Sequence, residues 1–383
     1  MNRYQSYLAT TLQLIKSYPA GTPLSFHLKS FFSKNKKYGS RDRKVISSCC
    51  YAYFRSYHLT KGWLTEERVL AGIFLQEQQS NPLLQSIRPD WDAMAAHSLA
   101  EKLRFLHKKP DDLFPFVSLV GGIKDKHSFC LSVVQQPDLF IRIRPGKTSV
   151  VEKKLTAAEI PYTKISPDAI RMANAAPVDR CLQLNAEAVI QDLSSQHALQ
   201  CLPNLKPYAA VWDCCAASGG KSILLVDSIN HPIKLTVSDI RESILLQLRK
   251  RLKESGIHIQ RIFKADLTKP CPLPADTVFD LLICDAPCTG SGTWARTPEQ
   301  AAGFKESMIN DFTALQKTIV ENSLPYLVKD GLLCYITCSV FIDENEGNVA
   351  WFQKTHSLAL LHQEYIEGSS QRADTMFVAL LKK

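Results

Sequence analysis

Two cysteines in the C-terminal half of the chain are spaced so that their thiols can act together. Cys288 follows an apolar segment that ends at Asp285, and Cys338 follows the apolar segment YIT. If these segments are neighbouring strands of a parallel sheet, their carboxyl ends meet at one edge and bring the two sulfur atoms close. Such thiols can be two small core residues, a redox pair, or a nucleophile with a helper.

Carboxylates end four successive strand-like segments, at Asp213, Asp239, Asp266 and Asp285. The first segment leads into the pair Gly219–Gly220, which lets the backbone approach a ligand at the start of a helix. The loop matches neither the dinucleotide fingerprint nor the phosphate-binding P-loop, which argues against a nucleoside triphosphatase. Acids along one edge of a sheet suit a polyhydroxylated, cationic ligand, and S-adenosylmethionine has both a ribose and a sulfonium.

Two thiols beside such a cofactor suit methylation of carbon 5 of cytosine. That carbon is too weakly nucleophilic to take a methyl group directly, but a thiolate that adds to carbon 6 makes it enamine-like. The carbon 5 proton must then leave so that the thiolate can be expelled. A cysteine thiol, with a pKa of about 8.5, is partly ionised at neutral pH and intrinsically reactive. Asp285 is placed to hold the edge of the base.

The elements that position these residues form an alternating pattern from about residue 205. Apolar strand segments alternate with helical segments, which predicts an α/β fold with a parallel, doubly wound sheet of Rossmann-like type over residues 204–383. Residues 1–125 show helical periodicity, and residues 126–203 read as a small α+β module in which FCLSVV and LFIRIR are strands. The closing segment MFVALLK is predicted to be an edge strand.

Charge is concentrated at the N-terminus of this chain of 383 residues. Residues 1–60 hold ten Lys and Arg residues against the single acid Asp42, which accounts for the net charge of +9. This favours an anionic polymer as partner, although a solvated basic face is an equal alternative.

The twelve cysteines show no CxxC spacing, so we expect reduced thiols and no metal site. No segment resembles a secretory signal or a membrane span, so we expect a cytoplasmic monomer that does not contact membranes.

Three motifs resemble the RsmB/NSUN family of RNA 5-methylcytosine methyltransferases, in particular its bacterial RsmB type. They are CAASGGK at 215–221, DAPCTGSGTW at 285–294, and TCS at 337–339 with ENE at 344–346. The segment at 39–55 resembles the NusB-like helical domain of that type, which implies RNA binding by residues 1–125. The family implies a class I S-adenosylmethionine-dependent methyltransferase domain preceded by an RRM-like module, and ribosomal RNA as partner.

The resemblance also implies a role for each residue of the site. The nucleophile of the family is the cysteine of the Thr-Cys motif, here Cys338, and the Pro-Cys cysteine, here Cys288, assists product release. Asp285 lies near the target base and Lys221 near the base or cofactor. The implied cofactor-binding set is Cys215, Ala216, Ala217, Ser218, Gly219, Gly220, Lys221, Asp239, Asp266 and Asp285. Ser218 replaces the usual proline of the family, and Asp374 and Thr375 replace its usual glycine pair.

Four further side chains are candidate RNA contacts. Arg142 and Arg144 alternate along one predicted strand, and Trp294 and Arg296 follow the Pro-Cys loop. Stacking on a base or contacts with phosphates would suit them, whereas simple packing is an equal alternative for Trp294.

Three other functions compete with the proposed one. A small-molecule methyltransferase would need neither two thiols nor a basic N-terminal domain, and a non-catalytic RNA-binding assembly factor would not need the three motifs. A transfer RNA methyltransferase with the same mechanism remains an alternative, because only the NusB-like segment favours ribosomal RNA.

Overall fold

The computed structural model describes residues 2–383, which form fifteen α-helices and eleven β-strands. The helices are α1 (Arg3–Lys16), α2 (Leu24–Lys34), α3 (Ser40–Arg55), α4 (Thr65–Gln76), α5 (Pro82–Ile87), α6 (Pro89–Asp92), α7 (Leu99–Phe105), α8 (Lys126–Ser132), α9 (Thr148–Ala157), α10 (Leu193–His197), α11 (Gly220–Asp227), α12 (Glu242–Glu254), α13 (Pro298–Gly303), α14 (Ser307–Ser323) and α15 (Glu346–His356). The strands are β1 (Leu139–Ile143), β2 (Thr163–Lys164), β3 (Ala169–Met172), β4 (Ala188–Ile190), β5 (Ala210–Asp213), β6 (Lys234–Asp239), β7 (Arg261–Lys264), β8 (Phe279–Asp285), β9 (Leu327–Thr337), β10 (Ala359–Ile366) and β11 (Met376–Lys382). No helix within residues 2–383 has both the length and the apolar character of a membrane span.

The chain divides into two compact units. A helical unit comprises residues 1–120, 124–136 and 293–305, and a sheet-containing unit comprises residues 121–123, 137–292 and 306–383. Both sheets therefore belong to the same compact unit. The division into three domains drawn from the sequence stays a prediction.

The helical unit is built on amphipathic helices. In α3 the buried residues Ile46, Cys49, Cys50, Tyr53 and Phe54 recur at helical spacing and contribute to an apolar core shared with α1, α2 and α4. The segment FCLSVV, predicted as a strand, lies instead in and just after α8, so that prediction was wrong. Asp125 caps this helix by accepting a hydrogen bond from the Ser128 amide, a local signal that favours a helix start.

The larger sheet has seven strands in the order β10-β11-β9-β8-β5-β6-β7. Strands β5 to β9 are parallel, and β11 and β10 are added antiparallel to one side. The predicted Rossmann-like, doubly wound sheet is confirmed. The prediction that MFVALLK is an edge strand was wrong, because β11 lies between β9 and β10.

Alternate residues of the central strands face two different apolar cores. Leu281 packs in the core that holds α11 and α12, whereas Leu282 packs in the core that holds α14 and α15. Both faces are therefore covered, as a parallel sheet requires. The strand order reverses direction between β5 and β8, and ligands bind at this point of such sheets, beyond the carboxyl ends of the strands.

The smaller sheet has the order β2-β3-β1-β4 and is antiparallel throughout. Helix α9 packs Val151 and Leu155 on it. An ion-pair cluster links it to α11: Arg142 and Arg144 both bind Asp227, at N–O distances of 2.6 and 2.7 Å.

That cluster corrects the expectation that the two arginines contact RNA. The Arg142 side chain is 3% exposed and the Arg144 side chain 13% exposed. The Arg142 guanidinium also donates to Gln191. Because both side chains are engaged inside the protein, they act as structural residues and are not available to phosphates.

Candidate active site

The loop after β5 is shaped by its glycines and by hydrogen bonds. Gly219 has a φ of +86°, and a Cβ atom there would lie 2.5 Å from Leu248 Cδ1, so α12 packs directly against the backbone. The Ala217 amide donates to Asp239 Oδ2 at 3.0 Å, which ties the loop to the end of β6. Ser218, which stands where the family has proline, accepts hydrogen bonds from Arg251 through both its carbonyl and its hydroxyl oxygen. The two hydrogen bonds from Arg251 thereby fix the turn, whose backbone a proline would restrict through its ring.

A cleft of about 400 Å³ opens beside this loop, at the ends of β5, β6 and β8. Of the predicted cofactor-binding residues, Cys215, Ala217, Asp239, Asp266 and Asp285 line it. Ile240, Leu267, Pro287, Leu315 and Ile319 give it apolar walls. Its size and its mixture of apolar walls and few polar groups are typical of small-molecule sites.

Two of the acids in the cleft have lowered pKa values. Burial alone would raise the pKa of Asp239. Arg241 donates hydrogen bonds to both carboxylate oxygens of Asp239, and the net result is a lowered pKa. Hydrogen bonds from the Thr268 hydroxyl and amide lower the pKa of Asp266. Asp266 stands two residues beyond β7, whose last residue is Lys264. Both groups are therefore anionic acceptors at neutral pH.

A half-buried ion pair joins the first turn of α11 to the end of β8. Lys221 Nζ lies 2.8 Å from Asp285 Oδ2, and the two side chains are 12% and 23% exposed. Burial lowers the pKa of Lys221, but Asp285 and, more weakly, Cys338 raise it, and the net pKa is raised. A fixed cation thus lies within electrostatic reach of the Cys338 sulfur.

The two cysteines meet at the same edge of the sheet. Strands β8 and β9 are hydrogen-bonded neighbours, and Cys288 Sγ lies 3.7 Å from Cys338 Sγ. The hydrogen bond between the thiols, together with burial, raises the pKa of Cys288 well above its usual range. The predicted convergence of these two residues is therefore present in the structure.

Gly292 closes the Pro-Cys loop against two other segments. Its amide donates to the Cys338 carbonyl and its carbonyl accepts from the Thr375 amide, at 2.8 and 2.9 Å. A Cβ atom at this position would lie 2.0 Å from the Thr375 carbonyl oxygen. The backbone of Thr375, where the family usually has glycine, therefore takes part in holding the Cys338 loop.

Replacing Gly292 by alanine is expected to destabilise the sheet-containing unit. Since backbone lies on the side where the methyl group would go, the loop must shift, and we expect a loss of about 3 kcal/mol, at the upper end of ordinary substitutions. This corresponds to a fall of roughly 6–12 °C in the midpoint of thermal unfolding for a unit of this size. Gly303→Ala is the control, because no atom lies within 4 Å of its added Cβ. Equal unfolding midpoints for Gly292→Ala and Gly303→Ala would show that the loop accommodates a Cβ atom beside the Thr375 carbonyl without loss of stability.

The segment after Gly292 belongs to the helical unit and not to the site. Trp294 is 2% exposed and packs against Phe114 and Phe304, with ring centroids 5.4 and 4.9 Å apart. The Arg55 guanidinium donates to the Ala295 carbonyl of the same segment. Trp294 is thus a core residue, which corrects its predicted role in stacking on RNA. The RNA contact of Arg296 stays a prediction.

Comparison with known proteins finds a family that matches the C-terminal part of the chain. The sequence profile of the family described as 16S rRNA methyltransferase RsmB/F matches residues 200–381. These residues are therefore similar to a domain of that family. The resemblance found in the sequence motifs is confirmed.

Individual relatives agree with this assignment. The chain is 29% identical over 265 residues to a probable ribosomal RNA small subunit methyltransferase B of Synechocystis, covering 68% of this chain and 58% of the relative. It is 33% identical over 199 residues to ribosomal RNA small subunit methyltransferase B of Photorhabdus laumondii, covering 51% and 45%. The matched segment thus spans about half the length of these curated relatives.

A solved structure shares the fold over almost the whole chain. The crystal structure of PH0851 superposes with a TM-score of 0.72 at 22% identity and covers 98% of this chain and 97% of that chain. The fold of the RsmB/F domain and of the part that precedes it therefore occurs in another protein with little sequence identity.

Proposed function

We propose that this protein is an S-adenosylmethionine-dependent RNA methyltransferase that methylates carbon 5 of cytosine, with small-subunit ribosomal RNA as substrate. The observation that carries the proposal is the pair Cys288 and Cys338, with sulfur atoms 3.7 Å apart at the ends of neighbouring strands. The Lys221–Asp285 ion pair and the acid-lined cleft lie at the same edge of the sheet. A small-molecule methyltransferase would have no need for the paired thiols.

The cleft suits S-adenosylmethionine in its chemistry. Asp239 has a lowered pKa and presents carboxylate oxygens, the acceptors that ribose hydroxyls require. The apolar residues Ile240 and Leu267 can flank an adenine ring, and Asp266 and Asp285 add the negative charge that suits a cationic ligand. When bound, the cofactor supplies an electrophilic methyl group to carbon 5.

In the proposed reaction Cys338 acts as the nucleophile. Its thiolate adds to carbon 6 of the cytosine, the electrons of the carbon 5–carbon 6 double bond shift to the carbon 4–carbon 5 bond, and those of the carbon 4–nitrogen 3 bond move to nitrogen 3, which takes up a proton from water. Carbon 5 is thereby enamine-like and nucleophilic. Asp285 holds the edge of the base, and Lys221 keeps this carboxylate in place through the 2.8 Å ion pair.

Release of the product reverses the addition. After methylation, the proton on carbon 5 passes to a water molecule, its bonding electrons rebuild the carbon 5–carbon 6 double bond, and the electron pair of the carbon 6–sulfur bond returns to sulfur. Cys338 thereby regains its thiolate. Cys288 lies 3.7 Å from the leaving sulfur, and its raised pKa keeps it protonated, so we assign it the role of assisting release.

The target cytosine must leave its stack to reach these groups. A base in a helix cannot present carbon 6 to a thiol, so the substrate is single-stranded, looped or flipped out. The basic residues within positions 1–60, apart from the buried Arg55, supply charge for binding the phosphate backbone. The names of the curated relatives favour small-subunit ribosomal RNA over transfer RNA.

Nucleoside analysis of methylated RNA tests this proposal. The protein is incubated with S-adenosylmethionine and either unmethylated 16S ribosomal RNA or unmethylated transfer RNA. We expect 5-methylcytosine at one position of the ribosomal RNA, located by bisulfite sequencing. Methylation of transfer RNA alone would overturn the substrate assignment, and a methylated product other than 5-methylcytosine would overturn the reaction.

A further inference from the structure

A single buried carboxylate lies between the two loops that carry the cysteines. Glu344 is fully buried, and its Oε1 accepts hydrogen bonds from the Thr289 amide and from Gln316 Nε2, each at 2.9 Å. Its Oε2 accepts from the hydroxyls of Thr289 and Ser339. Thr289 follows Cys288 and Ser339 follows Cys338, so the same carboxylate binds the next residue in each loop.

The carboxylate is itself held by the surrounding scaffold. Gln316 of α14 also donates to the Pro287 carbonyl at 2.9 Å, and its own carbonyl oxygen accepts from Asn348 of α15. The Tyr335 hydroxyl of β9 donates to the backbone carbonyl of Glu344 at 2.7 Å. The loops are therefore fixed to two helices and to the central strand through one residue.

Burial of this carboxylate without a cation is costly. Burial raises the pKa of Glu344, and the opposing contributions are hydrogen bonds from Ser339, Thr289 and Gln316. Hydrogen bonds to a charged group offset the cost only where all of them are well placed. Apolar packing would join the two loops at a lower cost in free energy. The presence of a carboxylate therefore indicates that it sets the position or the protonation of the thiols.

We propose that Glu344 is a positioning residue that holds the Cys288 and Cys338 thiols at their separation of 3.7 Å. It touches neither thiol directly through a hydrogen bond and acts through Thr289 and Ser339. The role of this separation in catalysis rests on the proposed function, whereas the claim that Glu344 fixes the separation does not.

The charge of Glu344 has a second effect. The hydrogen bond that Cys288 donates to Cys338 and burial raise the pKa of Cys288, and the negative charge of Glu344 raises it further. Other titratable groups at this edge include Lys221 and Asp285, which pair with each other, and Tyr335, whose hydroxyl donates to the Glu344 carbonyl. Glu344 thus favours the protonated thiol at Cys288, the form needed by a group that assists release.

Thiol oxidation without RNA or cofactor tests the positioning. Diamide takes up two electrons and two protons as two neighbouring thiols become a disulfide, and peptide mass spectrometry follows the Cys288–Cys338 product. Glu344→Gln and Ser339→Ala are each expected to slow this reaction about tenfold, the factor for one lost hydrogen bond to a charged group. Asp343→Asn, at the exposed neighbouring position, is the matched control and should match the wild type. Thermal unfolding verifies that each variant is folded.

The pH profile of Cys288 alkylation separates charge from packing. In Glu344→Gln the pKa of Cys288 should fall, whereas Ser339→Ala, which keeps the carboxylate, should leave the profile closer to the wild type. In methylation assays, kcat should fall about tenfold in Glu344→Gln with KM for S-adenosylmethionine unchanged. A wild-type disulfide rate in folded Glu344→Gln would overturn the inference. A slowed disulfide reaction in a protein that methylates no RNA would support the inference and reject the proposed function instead.

Discussion

Cys338→Ala is expected to abolish both methylation and the covalent protein–RNA adduct. Without the sulfur, carbon 6 of cytosine has no nucleophile and carbon 5 stays unreactive, so we expect turnover to fall by roughly 10³-fold or more. Turnover is measured by transfer of radioactive methyl groups to RNA, and the adduct by denaturing gel electrophoresis. Binding of S-adenosylmethionine, measured by calorimetry, should be preserved, because the Cys338 side chain does not line the cleft.

Cys334→Ala provides the matched control for this variant. Cys334 lies in β9, four residues before Cys338, and is fully buried. Its loss should cost some stability but leave methyl transfer near the wild-type rate. An adduct in Cys338→Ala equal to that of the wild type would show that another residue attacks the base.

Cys288→Ala is expected to accumulate the adduct that Cys338→Ala lacks. The nucleophile is intact, so attack and methylation proceed, but the thiol 3.7 Å from the leaving sulfur is missing and release is slowed. General acid–base assistance contributes about 10²- to 10⁴-fold, so we expect turnover to fall within that range. A gel shift of most of the protein, dependent on both RNA and S-adenosylmethionine, is the expected readout.

The double variant decides between the two cysteines. Cys288→Ala combined with Cys338→Ala should form no adduct, because accumulation requires the attacking sulfur. Loss of the adduct in Cys288→Ala alone would contradict the assignment of roles and would make Cys288 the nucleophile or a residue required before attack.

The strands that carry the site could be predicted because their sequences are apolar throughout and end in polar residues. Strand β6 ends at Asp239 as predicted, and the strand pair β8 and β9 brings the cysteines together as expected. Strand β10 was not predicted, because most of its residues are exposed and it shows no regular alternation. Without β10, the neighbouring strand β11 was wrongly placed at the edge.

Short apolar segments and long-range partners limited the remaining predictions. FCLSVV is apolar enough for a strand, and periodicity alone does not separate a short strand from one turn of a buried helix. Arg142 and Arg144 lie two residues apart, which predicted one exposed basic face. Their partner Asp227 lies more than 80 residues away in the sequence, and no local pattern reveals it.

The role of Glu344 also depends on tertiary structure. The sequence showed it only as the first residue of the motif at 344–346. Its four hydrogen bonds reach Thr289, Gln316 and Ser339, which come from three separate segments. Trp294 shows the same limit, since it follows the Pro-Cys motif in sequence but packs in the helical unit.

Mass spectrometry of a trapped adduct tests the central claim most directly. In RNA that carries 5-fluorocytosine, the fluorine cannot leave carbon 5 as a proton does, so methylation proceeds but the sulfur is not expelled. After digestion of the protein and the RNA, we predict a methylated fluorocytosine nucleotide bonded to the peptide that contains Cys338. A nucleotide bonded to Cys288, or no covalent product while unsubstituted RNA is methylated, would contradict the account.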